Sequence, residues 1–358
     1  TSMPTLFDPI KVGAFTLPNR IMMAPLTRTR AIEGSRVPAP LAIEYYAQRA
    51  SAGLIMTEAT SVDPMGVGYP NTPGIWSDDQ TEGWKPVVDA VHKKGGIIFL
   101  QLWHVGRISD PFFLDGKAPV SASAIAPEGR VSLLRPPKDY GTPRALETDE
   151  IPGVIAAYKL GAENAKKAGF DGVEIHGANG YLIDQFLQDG SNKRSDKWGG
   201  SRENRARLML EVTDACCEVW GADRVGMHLA PRGDSHTMGD SDLTGTFTYV
   251  ANEMRKRKIA FICAREHQAA DSIGPRLREA FGGVYVANEN FTQESGEAAL
   301  ASGAADAIAY GKLYISNPDL VERFKSNAPL NEWNLKTFYT PGPVGYTDYP
   351  AMESVAAE

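Results

Sequence analysis

Short apolar runs alternate with longer amphipathic stretches along the whole chain. The runs cover residues 21–24, 53–57, 97–101, 172–175, 225–229, 260–263, 283–287 and 307–310. They are nearly continuous rather than alternating in polarity, as expected of parallel strands buried on both faces. The 3.6-residue spacing between them predicts helices over residues 41–51, 81–94, 151–168, 203–220, 246–256, 272–281, 293–302 and 317–324. Thr148 or Asp149, Ser201 and Thr292 stand where side-chain N-caps are expected. Eight strands alternating with eight helices read as an α/β fold, a (β/α)8 TIM barrel of about 250 residues.

The surplus falls in three places. Residues 7–19 read as a small N-terminal hairpin that plugs the bottom of the barrel. Residues 103–147 form a Pro-, Gly- and Ser-rich insertion after strand three, the length and composition of a lid. A tail covers about 326–358, and the whole of 1–358 reads as one barrel domain.

Composition narrows the function. Lys and Arg number 37 against 44 Asp and Glu, a net charge of −7. That balance speaks against a nucleic-acid partner, which selects a basic face. No apolar run approaches the roughly 20 residues of a membrane span. No secretory signal is read at the N-terminus, where Thr1-Ser2 reads as an added remnant. Cys216, Cys217 and Cys263 are too few for a disulfide framework, so reduced thiols and a cytoplasmic location are expected. The six histidines include no His-x-His or His-Glu-x-x-His arrangement, and no metal is expected.

Barrel enzymes gather their chemistry at the C-terminal strand ends. Here those ends carry Pro25 and Thr27, Glu58 and Ala59, Gln101 and Trp103, His176, His228, and Gly311-Lys312. The fourth is the most telling, as Gly172-Val173-Glu174-Ile175 runs into His176-Gly177-Ala178-Asn179-Gly180-Tyr181. Two hydrogen-bond donors three residues apart can hold and polarise an oxygen, and a nearby phenol can supply a proton. This suits chemistry on an activated carbonyl or nitro compound. Lys312, near the Asn288 loop after strand seven, matches the usual barrel phosphate site and points to a phosphorylated cofactor. Glu58 and Glu174 interrupt apolar strands and need partners if buried.

Several segments together resemble the old yellow enzyme family of FMN-dependent ene-reductases. They are Leu6-Phe7-Asp8-Pro9, Asn19-Arg20-Ile21-Met22-Met23-Ala24-Pro25-Leu26-Thr27-Arg28, Gln101-Leu102-Trp103-His104-Val105-Gly106-Arg107, the His176 motif, Gly199-Gly200-Ser201-Arg202-Glu203-Asn204-Arg205 and Gly345-Tyr346-Thr347-Asp348-Tyr349-Pro350. The resemblance implies that Pro25, Thr27, Ala59 and Gln101 line an FMN ring, with His228, Asn288, Gly311 and Lys312 also toward the cofactor. It implies that His176 and Asn179 clamp the substrate oxygen and that Tyr181 donates a proton. Tyr69, Trp103 and Tyr346 would shape the pocket. The implied cycle is ping-pong, with NADPH or NADH as hydride donor and an activated alkene as acceptor. A monomer or homodimer would suffice.

Three positions depart from the family's usual pattern. His228 replaces an arginine, Lys312 replaces the phosphate-binding arginine, and Ala287-Asn288-Glu289-Asn290 replaces a glycine-rich turn. Lysine binds phosphate without arginine's bidentate fork. Reduction of nitro compounds or nitrate esters at the same site is the nearest alternative. A non-redox barrel lyase using Lys312 or Tyr181, and a catalytically weak flavin-binding protein, are the others.

Overall fold

The computed structural model describes residues 3–352, so Thr1-Ser2 and residues 353–358 of the tail lie outside it. The eight barrel strands are Ile21–Met23, Leu54–Met56, Ile98–Trp103, Gly172–His176, Val225–Leu229, Phe261–Arg265, Val284–Asn288 and Ala307–Tyr310. They pair in parallel in chain order, and the eighth pairs back with the first. This is the closed (β/α)8 barrel that the pattern of apolar runs predicts.

Alternation within each strand divides the core in two. Ile21 and Met23, Ile98 and Leu100, and Val173 and Ile175 pack outward under the helices. Met22, Leu54, Phe99, Phe261 and Cys263 turn inward and fill the lower barrel. Continuing the same two-residue period upward points Gln101, Glu174, His176, His228, Arg265 and Asn288 to the inside at or near the upper rim. The chemistry is thus placed by strand geometry rather than by loops alone.

The hairpin Ile10–Val12 with Phe15–Leu17 joins the lower interior cluster, as its position ahead of strand one suggests. Its turn residue Gly13 has φ +55, and a Cβ there would lie 2.0 Å from the Asp223 carbonyl oxygen. Ala14 N–H donates to that same carbonyl at 3.0 Å, tying the hairpin to the base of strand five.

Helix boundaries follow local capping. The helix Asp78–Lys93 starts one turn earlier than its apolar spacing predicts, because Ser77 and Gln80 form a capping box ahead of the first apolar residue. The helix Ile151–Ala168 matches its expected span, but Thr148–Glu150 make a 3-10 turn rather than an N-cap. Ser201 and Thr292 cap as expected. Two short helices, Leu182–Leu187 and Lys312–Ser316, were not predicted, being too brief to show a period.

The insertion after strand three is pinned rather than loose. Val120–Ser121 pairs with Arg144–Ala145. Arg194 donates to the carbonyls of Ala122 at 2.9 Å and Leu146 at 2.5 Å. The buried side chain of Gln185 donates to the carbonyls of Val105 and Gly180 and accepts from Arg107 N–H and the Ser121 hydroxyl. The tail is held differently. Buried Arg28 and Arg30 donate to the carbonyls of Phe338, Gly342, Val344 and Gly345. This draws the 338–345 loop over the end of strand one.

No described helix is long and apolar enough to cross a membrane. Among the described residues no group of His, Cys, Asp and Glu is arranged to hold a metal ion.

Candidate active site

A cavity of about 590 Å³ opens at the upper rim. That is the size of a small-molecule or cofactor site. Of the residues singled out in the sequence, Pro25, Thr27, Asn179, His228, Asn288, Gly311 and Lys312 line it.

A stack of rings adjoins it. Tyr69 stacks on Trp103 at 5.5 Å between ring centres, and Trp103 stacks on His176 at 6.3 Å. Tyr181 meets Trp103 and His176 edge-on at 5.1 and 5.0 Å. His176 in turn lies 5.3 Å from His228. Ala59 belongs to the same buried cluster as Tyr69 and Trp103, and Tyr140 from the insertion packs against it.

The loop after strand four owes its shape to two left-handed residues, Asn179 with φ 58 and Gly180 with φ 76. Asparagine is one of the few side chains that tolerates this region. The turn brings Asn179 back toward the barrel axis, and its carbonyl accepts from His236 Nδ1 at 2.7 Å.

Hydrogen bonding fixes what each clamp residue offers. His176 Nδ1 accepts from Ala178 N–H at 3.3 Å. Burial drives its pKa well below the usual value, assisted by the neighbouring His228, Arg265 and His236. A neutral ring whose Nδ1 accepts carries its proton on Nε2, so His176 presents a donor. Asn179 Oδ1 accepts from Arg265 Nη1 at 3.1 Å. A guanidinium only donates, so the amide oxygen faces it and Nδ2 is turned the other way. Each clamp residue therefore offers a neutral donor, and His176 adjoins the Tyr181 ring.

Beneath them, Gln101 Nε2 donates to Glu174 Oε1 at 2.8 Å and lies 3.1 Å from His228 Nδ1. Burial raises Glu174 to about 8, partly offset by the Gln101 bond, so it is protonated at neutral pH. Burial, with Arg265 nearby, lowers His228 to about 3. With Nδ1 accepting from Gln101, the His228 proton sits on Nε2, a buried atom that lacks a partner among the described residues. An unmet buried donor costs about 1–3 kcal/mol. A ligand acceptor such as the carbonyl edge of a flavin fits it. Glu58, the other carboxylate expected within a strand, lies two residues beyond Leu54–Met56 and accepts from the Tyr46 hydroxyl at 2.7 Å.

The lining after strands seven and eight suits a phosphate. Gly311 and Lys312 open the short helix Lys312–Ser316 on the lining. Asn288 is oriented by its donation to Ala309 O at 2.8 Å. The turn after strand seven keeps a glycine-like shape without glycine, since Glu289 has φ 96 and Asn290 φ 59. A flavin phosphate fits these groups.

One expected pocket residue lies elsewhere. Tyr346 stacks on Tyr45 at 4.2 Å, with the Arg30 guanidinium 4.6 Å from its ring. The aromatic residues that the tail brings to the cavity are instead Phe338 and Tyr339. The repeated Tyr-containing tail offers several candidates in sequence, and only the Arg28 and Arg30 bonds decide which ring faces inward. Arg265 and His236 were also missed. The inward period from Phe261 and Cys263 foreshadows Arg265, whereas nothing local marks His236.

Comparison with known proteins identifies the family. Residues 5–331 match the NADH:flavin oxidoreductase / NADH oxidase family. The chain is 45% identical over 365 residues to 12-oxophytodienoate reductase 2 of Arabidopsis thaliana, covering 98% of this chain and 96% of the relative. It is 44% identical over 367 residues to 12-oxophytodienoate reductase 1 of Oryza sativa subsp. japonica, covering 99% and 94%. Among solved structures, the old yellow enzyme homologue from Zymomonas mobilis superposes with a TM-score of 0.94 at 46% identity, covering 97% of this chain and 99% of that one. Morphinone reductase in complex with tetrahydroNAD gives 0.94 at 47% identity, covering 98% of both. The chain belongs to the NADH:flavin oxidoreductase / NADH oxidase family, as an old yellow enzyme homologue that works as an FMN-dependent, NAD(P)H-using ene-reductase.

Proposed function

We propose that this enzyme reduces α,β-unsaturated carbonyl and nitro compounds, with His176 and Asn179 holding the activating oxygen and Tyr181 giving the proton. What supports this reading is that each clamp residue offers a neutral donor, and that the buried Tyr181 phenol lies edge-on against His176. Pro25, Thr27, Ala59, Gln101, His228, Asn288, Gly311 and Lys312 would hold FMN. When bound, FMN supplies the hydride chemistry, accepting hydride from NADPH or NADH and delivering it to the carbon β to the activating group.

The clamp acts on the charge that builds on the substrate oxygen. Fixed donors in a dry site need no reorganisation as that charge grows, and each is typically worth a few kcal/mol. Burial raises the Tyr181 pKa, partly offset by its bond to Tyr69, so the phenol stays protonated across the neutral range as a general acid should. Tyr69, Trp103 and the tail aromatics Phe338 and Tyr339 would select the substrate's shape. The flavin oxidoreductase family and its reductase relatives support this reading over nitrate-ester or nitroaromatic reduction and over a non-redox lyase. Cytoplasmic location and a monomer or homodimer complete the reading.

Stopped-flow mixing of the reduced holoenzyme with cyclohexenone, maleimide or a nitrate ester tests it. Rapid flavin reoxidation with saturated product from the enone or imide is expected. Reoxidation by the nitrate ester alone would overturn the reading.

A further inference from the structure

The sixth barrel strand ends on a cation that the roles above leave unassigned. Arg265 stands one inward position above Cys263, which lies opposite His228 in the sheet register. Its side chain is 41% exposed and lines the cavity. Nη1 donates to Asn179 Oδ1 at 3.1 Å, and Nη2 lies 3.7 Å from Glu289 Oε1.

Two consequences follow, one from donor chemistry and one from charge. A primary amide can turn end for end, exchanging its oxygen for its NH2. Turned the other way here, Asn179 would set NH2 against a guanidinium, donor against donor. Arg265 thus makes one amide orientation far cheaper than the other, the one that offers Nδ2–H outward. Second, His176 and His228 are both kept neutral by burial. Fixed positive charge on the cavity lining therefore comes from Arg265 and Lys312, and of the two it is Arg265 that bonds Asn179.

We propose that Arg265 is a positioning residue for the clamp: it locks the Asn179 amide with its donor toward the ligand oxygen and biases the site toward ligands whose oxygen carries negative charge. This rests on the assignment of His176 and Asn179 as the oxygen holders. Glu289 acts as its counterweight, drawing the guanidinium toward strand seven. Phenolates and enolates are the ligand class it favours.

The test uses the FMN-loaded enzyme titrated with para-chlorophenol, read by the charge-transfer absorbance of the bound phenolate. Arg265→Met removes the donors at similar length, Arg265→Lys keeps the charge, and Asn179→Ala removes the group acted on. Arg265→Met is expected to weaken phenol binding about tenfold, the scale of one lost charge-assisted hydrogen bond. Arg265→Lys should recover part of that loss. The pH at which bound phenol ionises should rise in Arg265→Met, which a merely structural residue would not move. In the Asn179→Ala background the loss on Arg265→Met should shrink, because the two changes act through one group. An unchanged dissociation constant in Arg265→Met overturns the proposal, as does an equal loss on both backgrounds. If Asn179→Ala itself binds phenol normally, the clamp assignment fails, and this inference with it. Retained yellow colour reports that each variant is folded.

Discussion

The hydroxyls of Tyr69 and Tyr181 lie 2.6 Å apart, one donating to the other across the ring stack. Burial raises both phenols above their ordinary pKa. When Tyr181 releases its proton, Tyr69 is the hydroxyl placed to steady the phenolate left behind. Tyr181→Phe is expected to slow alkene reduction by about 10²-fold or more, the usual range for a lost general acid. Tyr69→Phe should cost less, about tenfold, by leaving the Tyr181 oxygen without its donor. Stopped-flow reoxidation by cyclohexenone reads both. Flavin reduction by the nicotinamide should be normal in Tyr181→Phe, and a collapse there would refute the proton-donor role.

The clamp makes a prediction about pH. Burial holds the His176 pKa well below its ordinary value, so the ring is neutral at pH 7 and its Nε2 donor does not depend on titration there. The dissociation constant of a neutral enone should show no step at the ordinary histidine pKa of about 6.5. A binding step near pH 6.5 would mean that a charged imidazole is needed. His176→Ala with Asn179→Ala should abolish the charge-transfer band of phenols.

Glu289 holds φ 96, a region that glycine adopts freely and other residues enter at about 1–2 kcal/mol. Its carboxylate also adds negative charge to the lining that includes Lys312. Glu289→Gly should therefore raise thermal stability by about 1 kcal/mol and tighten FMN binding. Differential scanning calorimetry and titration of the apoprotein with FMN check the two parts separately. Weaker FMN binding would mean that the Glu289 carboxylate contributes to the site.

Buried ionisable groups set opposing pH limits on stability. Burial lowers His228 to about 3 and His104 to about 4, the latter partly offset by Asp63. Unfolded histidine takes up protons below about 6.5, so these groups withdraw stability as pH falls through that window. Burial raises Glu174 to about 8, and Glu58 and Asp184 to about 7. These are protonated when folded and ionise above about 4.5 when unfolded, so they withdraw stability as pH rises from there to about 8. The two sets offset one another between about 4.5 and 6.5. Urea midpoints should decline on both sides of that interval, by at most about 1.4 kcal/mol per pH unit per group. Glu174→Gln should flatten the alkaline limb. An unchanged limb in that variant would refute the contribution of Glu174.

The barrel was legible because burial on both faces writes strands as apolar runs, and all eight appear where those runs lie. His176, Asn179 and Tyr181 were legible because local chain direction carries them from a strand end into one loop. What escaped depends on partners distant in sequence. Phe338 and Tyr339 reach the cavity through arginines about 310 residues earlier. Arg265 meets Asn179 only because adjacent strands share a register. The orientation of Asn179 and the tautomers of His176 and His228 are consequences of those meetings, so residue type alone does not reveal them.

The Gln185 amide joins the root of the long insertion to the loop that carries Asn179 and Tyr181. Its four bonds make the two segments mechanically one piece. Grafting a foreign insertion onto this barrel to widen its substrate range would therefore disturb catalysis whenever the exchange shifts the backbone at Val105 or Arg107 or removes the Ser121 hydroxyl. Exchanges limited to residues 129–139, beyond these anchors and short of Tyr140, should retune selectivity while leaving the reaction centre in register. The molecule thus carries its own seam for recombination.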